Sequence, residues 1–216
     1  DGCKSLKARA EANEAFGAEL KKGKKADAQR GYEIACKEWM DVRSFGQVFA
    51  FKGSELSLGI RGPVSVQPAF SVDPIDITSM QITKSVNSED KEGKSSDTMG
   101  MKHRVDFGVY ILKGSINVQL SEKTGFTEED AEKIKEAIRT LFVNDSSSAR
   151  PDGSMVMHKL YWWKHNCKIG QYSSHKVHNS IEIKKKEGVR NPRKIEDYEI
   201  ICHELPGLAV EEYEGL

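Results

Sequence analysis

Residues 127–142 read TEEDAEKIKEAIRTLF and carry the clearest secondary-structure signal in the chain. Thr127 is a favourable N-cap, and the three acidic residues after it lie where the positive end of a helix dipole stabilises negative charge. Apolar side chains then recur at helical spacing on one face: Ala131, Ile134, Ala137, Ile138, Leu141 and Phe142. The segment predicts an amphipathic helix that packs this face against a core.

Helical periodicity also marks the start of the chain, where residues 4–22 and 28–40 each predict an amphipathic helix. The pattern changes at residue 41, because DVRSFGQVFAF (41–51) is rich in β-branched and aromatic residues and predicts a strand. In that strand Phe45 and Phe49 would face the core.

A long extended region precedes the 127–142 helix. Residues 71–111 alternate apolar and polar side chains on both sides of a polar tip, SEDKEGKSSD (88–97), and predict a two-stranded excursion. Further strands are predicted in SINVQL (115–120), MVMHKLYWWKH (155–165) and YEIIC (198–202). This order indicates an α+β fold of the modified ferredoxin-like, RNA-recognition type with a long β-hairpin insertion. Such a fold begins with a strand, which we expect upstream of residue 1.

Composition narrows the class of protein. The chain of 216 residues contains 33 Lys+Arg and 33 Asp+Glu, with no apolar run of the ~18 residues that a membrane span needs and no signal-peptide core. Its four cysteines form no CxxC pair, which is typical of reduced thiols in a cytoplasmic protein. Charge is separated along the chain: residues 184–194 carry six basic groups, whereas residues 196–216 carry seven acidic groups and no Lys or Arg. Each run also fits ordinary solvated surface.

Signatures of common catalytic and nucleotide-binding sites are absent: the sequence has no GxSxG, GxxxxGK[ST], GxGxxG or HExxH. His175 and His178 have no thiol at a familiar metal-ligand spacing, so we predict no metal or other cofactor. Asp73 and Asp76 in DPID could form a carboxylate pair for acid–base chemistry. An Asp before Pro is also a common turn opener.

Basic side chains beside glycines or in extended segments indicate contacts with ribose-phosphate. Glycine allows a phosphate to approach the backbone closely, and the cation neutralises it. Arg43 begins RSFGQVFA, which partly matches the aromatic strand of RNA-recognition modules, although a core strand explains it as well. The other candidates are Arg61, Lys102, His103, Arg104, Arg150 and Lys168. Each of them also fits ordinary surface charge.

Four blocks resemble, in consecutive order, one known family. They are DVRSFGQVF (41–49), GIRGPVSVQ (59–67), TMGMKHRVDFGVYILKGSINVQLSEKTGFTEEDAEKI (98–134) and SSSARPDGSMVMHKLYWWKHNCKIG (146–170). Together they are similar to the repeated CRISPR RNA-binding backbone subunit of type I CRISPR Cascade complexes, closest to subtype I-C, within the RAMP superfamily. The resemblance covers residues 28–183. It departs at the start, where family members open with a strand and an Asn/Gly-rich loop.

The resemblance implies a RAMP domain over residues 1–183, in which residues 71–104 form a β-hairpin thumb, followed by a basic and then acidic segment over 184–216. In this family, copies pack head to tail along the CRISPR RNA, other Cascade subunits join them, and each thumb displaces one base. Candidates for the apolar wedge at that base are Met80, Met99 and Met101, for which a packing role is equally open.

The function that the resemblance implies is a non-catalytic scaffold in antiviral defence, with no membrane role. The seven basic candidates would hold the guide, and the guide would pair with a target DNA strand and supply the specificity. An alternative is a metal-assisted RNA endonuclease that acts on guide-paired target RNA, because related subunits of type III complexes use an acidic loop residue. Asp73 or Asp76 would take that role. A third hypothesis is a fragment that makes mainly protein contacts and does not bind RNA.

Overall fold

A computed structural model describes residues 2–86 and 99–216 of the chain. Within these ranges the fold is α+β, which confirms the general class predicted from the sequence. The strands pair antiparallel and two by two, in six separate sheets. This pairing does not confirm the ferredoxin-like sheet, and the predicted polar tip at 88–97 lies outside the described residues.

The described part of the chain begins with four α-helices, continues with eight strands, and ends with a mixture of helices and strands. The helices are α1 (Leu6–Ala12), α2 (Glu14–Leu20), α3 (Ala28–Glu38), α4 (Met40–Phe45), α5 (Val118–Thr124), α6 (Glu128–Arg139) and α7 (Ser174–His178). The strands are β1 (Gly46–Ala50), β2 (Ser57–Arg61), β3 (Val64–Val66), β4 (Phe70–Ser71), β5 (Ile77–Thr83), β6 (Met99–Val105), β7 (Tyr110–Ile111), β8 (Gly114–Ile116), β9 (Lys159–Trp163), β10 (Ile181–Lys185), β11 (Tyr198–Cys202) and β12 (Val210–Glu214). The sheets are β1–β2, β3–β8, β4–β7, β5–β6, β9–β12 and β10–β11.

The chain divides into two compact units, and the first comprises Asp1–Val66, Gly114–Val177 and Glu204–Leu216. Its main core lies between helices α1–α4 and the β1–β2 pair. Phe16, Trp39 and Phe49 meet at its centre, with ring centroids 4.9 to 5.7 Å apart. Rings that bury this much apolar area in edge-on and offset contacts dominate the stability of a small core.

The second unit comprises Gln67–Lys113 and His178–His203, and it contains the β4–β7, β5–β6 and β10–β11 pairs. Asp73 connects its two chain segments: the carboxylate accepts a 2.8 Å hydrogen bond from the Tyr198 hydroxyl and lies 3.2 Å from the Lys185 ammonium. Burial raises the pKa of Tyr198 to about 12. The predicted RAMP boundary at residue 183 falls inside strand β10 of this unit.

Two of the predicted elements near the start of the chain were wrong in detail. Residues 4–22 form two helices rather than one, because Asn13 ends α1 and its side chain accepts the Phe16 N–H at 2.9 Å to cap α2. The strand predicted from residue 41 begins only at Gly46, and helix α4 precedes it. Phe49 is fully buried as expected, whereas Phe45 ends a helix and is half exposed.

In the middle and at the end of the chain, one predicted element differs from the structure and two are confirmed. SINVQL was predicted as a strand, and its first two residues do lie in β8, but Asn117 then accepts the Leu120 N–H at 2.9 Å and caps helix α5. The predicted helix after Thr127 is confirmed: Thr127 and Asp130 form a reciprocal capping box, and α6 ends at Arg139. The strand at YEIIC is confirmed as β11.

Backbones approach each other closely where α4 turns into β1. Gly46 has a φ of 83°, a left-handed conformation that favours glycine, and it pairs with Arg61 in the β1–β2 register. Gly62 follows Arg61, and a Cβ atom there would overlap the Ser44 carbonyl oxygen. The glycine beside Arg61 therefore serves chain packing in this structure.

We expect Gly62→Ala to lower the free energy of unfolding by about 1–3 kcal/mol, because the new methyl group must displace backbone atoms. Gly59→Ala is the matched control, since nothing lies within 4 Å of a Cβ atom at that position in the neighbouring strand β2. The control should change stability by less than about 0.5 kcal/mol. Urea unfolding of the three proteins measures both values, and equal stability of the two variants would contradict the packing argument.

Candidate nucleic-acid interface

The β5–β6 hairpin is the most exposed paired structure in the second unit. Its seven residue pairs run from Ile77 opposite Val105 to Thr83 opposite Met99. Every residue of β6 is exposed, and Thr78 is the only partly covered residue of β5. A two-stranded ribbon that buries neither face contributes little to a hydrophobic core, so its apolar side chains remain available for a ligand or partner.

The register assigns the hairpin side chains to two faces. Residues that lie opposite each other across an antiparallel pair point to the same face, and neighbours along a strand alternate. One face, called the lysine face here, carries Thr78, Met80, Ile82, Lys102 and Arg104. The opposite face, called the histidine face, carries Ser79, Gln81, Met99, Met101 and His103.

This assignment separates the three methionines that the sequence grouped as wedge candidates. Met80 lies directly opposite Lys102 on the lysine face, while Met99 and Met101 are on the histidine face. All three are exposed, by 40%, 64% and 57% respectively. A single displaced base can therefore contact Met80, or the other two, but not all three on one face.

Asp106 holds two side chains at one end of the lysine face by accepting hydrogen bonds from them. Its carboxylate accepts hydrogen bonds from the Thr78 hydroxyl at 2.6 Å and from Arg104 Nε at 2.7 Å. These two contacts lower the pKa of Asp106, with the Thr78 contact contributing most. Arg104 is still 56% exposed, so its remaining guanidinium N–H groups can reach a second acceptor.

The other two basic candidates of β6 differ in their contacts. His103 Nδ1 lies 2.8 Å from the Ser79 hydroxyl across the strand pair. Lys102 is exposed and makes no ion pair with any residue in the described part of the chain. An exposed ammonium without a carboxylate partner can neutralise a phosphate at no cost in lost ion pairing.

The first unit contains the four remaining candidates. Arg61 ends strand β2, is exposed, and is likewise without an ion pair among residues 2–86 and 99–216. Arg150 lies in a loop with its guanidinium 3.1 Å from Asp145, and Lys168 forms an ion pair with Glu122. Surface pairs of this kind contribute little stability, so phosphate can compete for these cations.

Arg43 differs from the other candidates because its charge is mostly buried. Its guanidinium donates to both carboxylate oxygens of Asp130, at 2.8 and 2.7 Å, and Asp130 is 1% exposed. Further donations reach the Cys36 and Lys37 carbonyls at the end of α3. This geometry favours a structural role for Arg43, in which it connects α3 and α4 to the N-terminal turn of α6.

Asp130 is the most strongly perturbed carboxyl group around this pair. The hydrogen bond from Arg43, together with the Thr127 backbone N–H, lowers its pKa to about 2. Asp130 also completes the capping box of α6. One carboxylate therefore serves both the start of a helix and a contact 87 residues away in sequence.

The acidic C-terminal run is structural rather than a solvated tail. Strand β12 pairs with β9 over five residues. Glu211 accepts a 2.9 Å hydrogen bond from the buried Lys135, and Glu212 forms an ion pair with Lys159. These acids neutralise cations of their own unit, so the zero net charge of the chain does not mean that its other cations are paired.

The endonuclease alternative finds no support in the geometry. Asp73 is held by Tyr198 and Lys185, and the Tyr198 hydrogen bond lowers its pKa. Within the described ranges, no group of three His, Cys, Asp or Glu side chains is arranged to hold a metal ion. Asp76 is exposed in the loop before β5.

Sequence reasoning noted the basic run at 184–194 but assigned no residue of it to the interface. The run lies at the end of β10 and in the loop that leads to β11, in the same unit as the β5–β6 hairpin. The high density of basic residues in the run was the sequence signal that could have assigned it to the interface. None of the helices in the described part of the chain is long and apolar enough to cross a membrane.

Comparison with protein-family models matches residues 3–203 to a family of CRISPR-associated proteins, described as CRISPR-associated protein Cas7. The match extends through both structural units. The chain belongs to the Cas7 family. A search of curated proteins found no match.

Family membership defines the general function. The chain is a CRISPR-associated, guide-binding backbone subunit of antiviral defence that assembles with other Cascade subunits. Members of the family are generally structural and non-catalytic. The predicted family is thus confirmed, while the subtype I-C assignment stays a prediction.

Asp130→Asn should lower the free energy of unfolding by about 2 kcal/mol near neutral pH, because a shift of the carboxyl pKa from 3.8 to about 2 represents that much stabilisation. The folded-state pKa is depressed, so the wild type should keep this contribution above about pH 4 and lose it as the pH falls toward 2. Urea unfolding as a function of pH measures the difference.

Asp145→Asn is the matched control for that measurement, since it removes an exposed partner of Arg150. We expect it to cost less than about 1 kcal/mol. An Asp130→Asn variant that is as stable as the wild type at neutral pH would show that the Arg43 pair does not hold α6 in place.

Proposed function

We propose that this chain is a non-catalytic backbone subunit whose copies pack head to tail along a CRISPR RNA and present it for pairing with a target DNA strand. The observation that carries the proposal is the family match over residues 3–203. We further propose subtype I-C as the closest relative, on the four sequence blocks described above. The guide, rather than the protein, supplies the sequence specificity.

A head-to-tail array follows from the task of coating a strand. A heterologous contact that does not close into a ring produces a helical filament, in which every copy meets the strand in the same way. Such a subunit needs ligand contacts that tolerate any base sequence. Cations that contact phosphate and apolar side chains that contact base faces meet this requirement.

The β5–β6 hairpin supports the thumb assignment because it exposes both kinds of side chain. On the lysine face, Met80 and Lys102 lie opposite each other, with Ile82 beside Met80. An apolar side chain next to a cation that has no ion pair among the described residues fits a displaced nucleotide, whose base is apolar on its faces and whose phosphate is anionic. We assign the lysine face to the RNA and Met80 to the wedge.

The histidine face presents different chemistry. Met99 and Met101 are exposed there, the described residues of this face include no Lys or Arg, and Gln81 donates a hydrogen bond to the Met99 sulfur. Flexible methionine side chains adapt to many apolar surfaces, so this face is suited to packing against protein. A neighbouring subunit in the proposed array is the partner that it would meet.

The phosphate contacts can be ranked by what each cation must give up. Arg61 and Lys102 give up no ion pair within the described residues, so we assign them the main contacts. Arg104, Arg150 and Lys168 would share or exchange an exposed carboxylate. His103 lies on the histidine face, away from the lysine face that we assign to the RNA, so it ranks below the other hairpin cations. Arg43 is not assigned a phosphate contact, because binding phosphate would break its pair with Asp130. Its contribution would be structural, through the position of helix α4.

Replacing Arg61 and Lys102 together with glutamine should weaken binding of single-stranded RNA and reduce the salt dependence. For a single strand each lost phosphate contact lowers the slope of log K against log salt by about 0.7, so the double variant should lose about 1.4. Filter binding across a salt series, with RNAs of several base sequences, measures the slope.

The matched control is Lys4→Gln with Lys21→Gln, which removes the same charge from two exposed residues that flank the first two helices and form no ion pair within residues 2–86 and 99–216. It should leave the slope within error of the wild type. If both double variants lose the same amount of salt slope, RNA binding depends on the total charge of the chain rather than on a site at Arg61 and Lys102. A strong base preference at constant salt would contradict the scaffold function itself.

Met80→Ala should reduce base displacement, whereas Met101→Ala should retain it, because the two side chains lie on opposite faces of the hairpin. Base-specific chemical probing of RNA bound in the assembled complex reports displaced bases as reactive positions at regular intervals. The wild type and Met101→Ala should show these positions. The reverse result would move the wedge to the histidine face.

A further inference from the structure

The loop between β10 and β11 is the most basic segment of the second unit. Residues 184–194 contain six Lys or Arg and a single acid, Glu187. The two strands on either side pair over five residues, from Ile181 opposite Cys202 to Lys185 opposite Tyr198. The loop is therefore presented at the end of a paired β ribbon.

Hydrogen bonds fix the backbone of this loop. The Asp197 carboxylate accepts the backbone N–H of Arg193 at 2.7 Å and that of Lys194 at 3.2 Å. The Lys186 N–H donates to the Asp197 carbonyl at 2.9 Å, and the Val189 N–H donates to the Lys186 carbonyl at 3.1 Å. Asp197, which ends this loop, thus directs its carboxylate to the backbone of the loop.

The six cations separate into two groups. Lys184 lies 2.9 Å from Glu182, and Lys185 lies 3.2 Å from Asp73, so both are paired. The remaining four are exposed and form no ion pair with any residue that the structure describes: Lys186, Arg190, Arg193 and Lys194. A fixed backbone that carries four unpaired cations within nine positions costs little to order when it meets an anionic ligand.

The loop also lies near the start of the hairpin in the same unit, because Asp73, which precedes β5, contacts both Lys185 and Tyr198 at the loop end of the β10–β11 pair. Arg193 is near enough to Asp106 for its positive charge to lower the pKa of that carboxyl group. Asp106 is the residue that holds Arg104 on the lysine face. Arg193 therefore adds positive charge near the end of the hairpin that carries Arg104.

We propose that Lys186, Arg190, Arg193 and Lys194 form a second phosphate-binding site, which holds the phosphodiester backbone of a nucleic-acid strand beside the β5–β6 hairpin. The proposal rests on the function proposed above and extends it to a segment outside the hairpin. Guanidinium groups bind phosphate through two parallel N–H donors, and the two lysines add unpaired positive charge. The strand is either the guide itself or the target strand paired with it, since both present the same backbone.

The test compares the full-length wild type with a fourfold variant, Lys186→Gln, Arg190→Gln, Arg193→Gln and Lys194→Gln. Binding is measured across a salt series, first with single-stranded RNA and then with the same RNA annealed to a complementary DNA strand. If all four cations contact single-strand phosphates, the slope of log K against log salt should fall by about 3. All four side chains are exposed and unpaired in the described structure, so folding should be unchanged, as circular dichroism can verify.

Two further variants define the result. Arg190→Lys with Arg193→Lys keeps the charge and should retain the salt slope. The matched control Lys4→Gln, Lys21→Gln, Lys24→Gln and Lys25→Gln removes four exposed charges from the N-terminal helical region and should leave the slope unchanged. A loss with single-stranded RNA assigns the site to the guide, and a loss only in the annealed arm assigns it to the target strand.

The outcomes separate this proposal from the proposed function. Wild-type binding with an unchanged slope in the fourfold variant, in both arms, would overturn the loop site alone. So would an equal loss in the loop variant and its matched control. Absence of RNA binding by the wild type would overturn the scaffold function and the loop site together.

Discussion

The pair between Arg43 and Asp130 is the contact on which the arrangement of the first unit depends. The two residues lie 87 positions apart, and both carboxylate oxygens accept from the guanidinium while the same carboxylate caps α6. Breaking one partner would leave a charge in a largely buried position, which is among the most destabilising changes a fold can suffer. This pair therefore connects the end of α3 and all of α4 to the second half of the unit. The close backbone approach at Gly46 and Gly62 constrains the chain just after it.

Ion pairing decides which cations remain for a nucleic acid. The chain carries equal numbers of basic and acidic residues, and some of the acids neutralise structural cations, as Glu211 does for Lys135. Arg43 is used inside the first unit in the same way. The unpaired basic side chains of the described second unit include Lys102 and the four in the β10–β11 loop. Zero net charge is thus compatible with a local positive surface, because the average says nothing about how the charges are paired.

The sequence predicted elements that depend on local periodicity and failed where a single side chain redirects the backbone. Helix α6 has an N-cap, acids in its first turn and a continuous apolar face, so each signal agrees. At Asn13 the side chain interrupts the single helix that the pattern indicates, and at Asn117 it caps a helix where the pattern indicates a strand. The basic candidates could be identified from residue type and spacing. An ion-pair partner can lie as far as 87 residues away, as Asp130 does from Arg43. No local sequence pattern could therefore show that Arg43 is paired inside the fold whereas Arg61 is exposed.

Strand register adds information that composition cannot supply. A one-residue difference in position moves a side chain to the opposite face of a two-stranded ribbon, so Met80 and Met101 are separated although both are exposed methionines of one hairpin. Lys102 shares its face with Met80, and Arg104 of that face is held by Asp106, which lies near Arg193 of the basic loop. A strand bound along this face would meet an apolar contact and then a series of cations. That order suits a ligand with apolar base faces and a continuous anionic backbone, because each of its two chemical parts finds a matching group without any recognition of base edges.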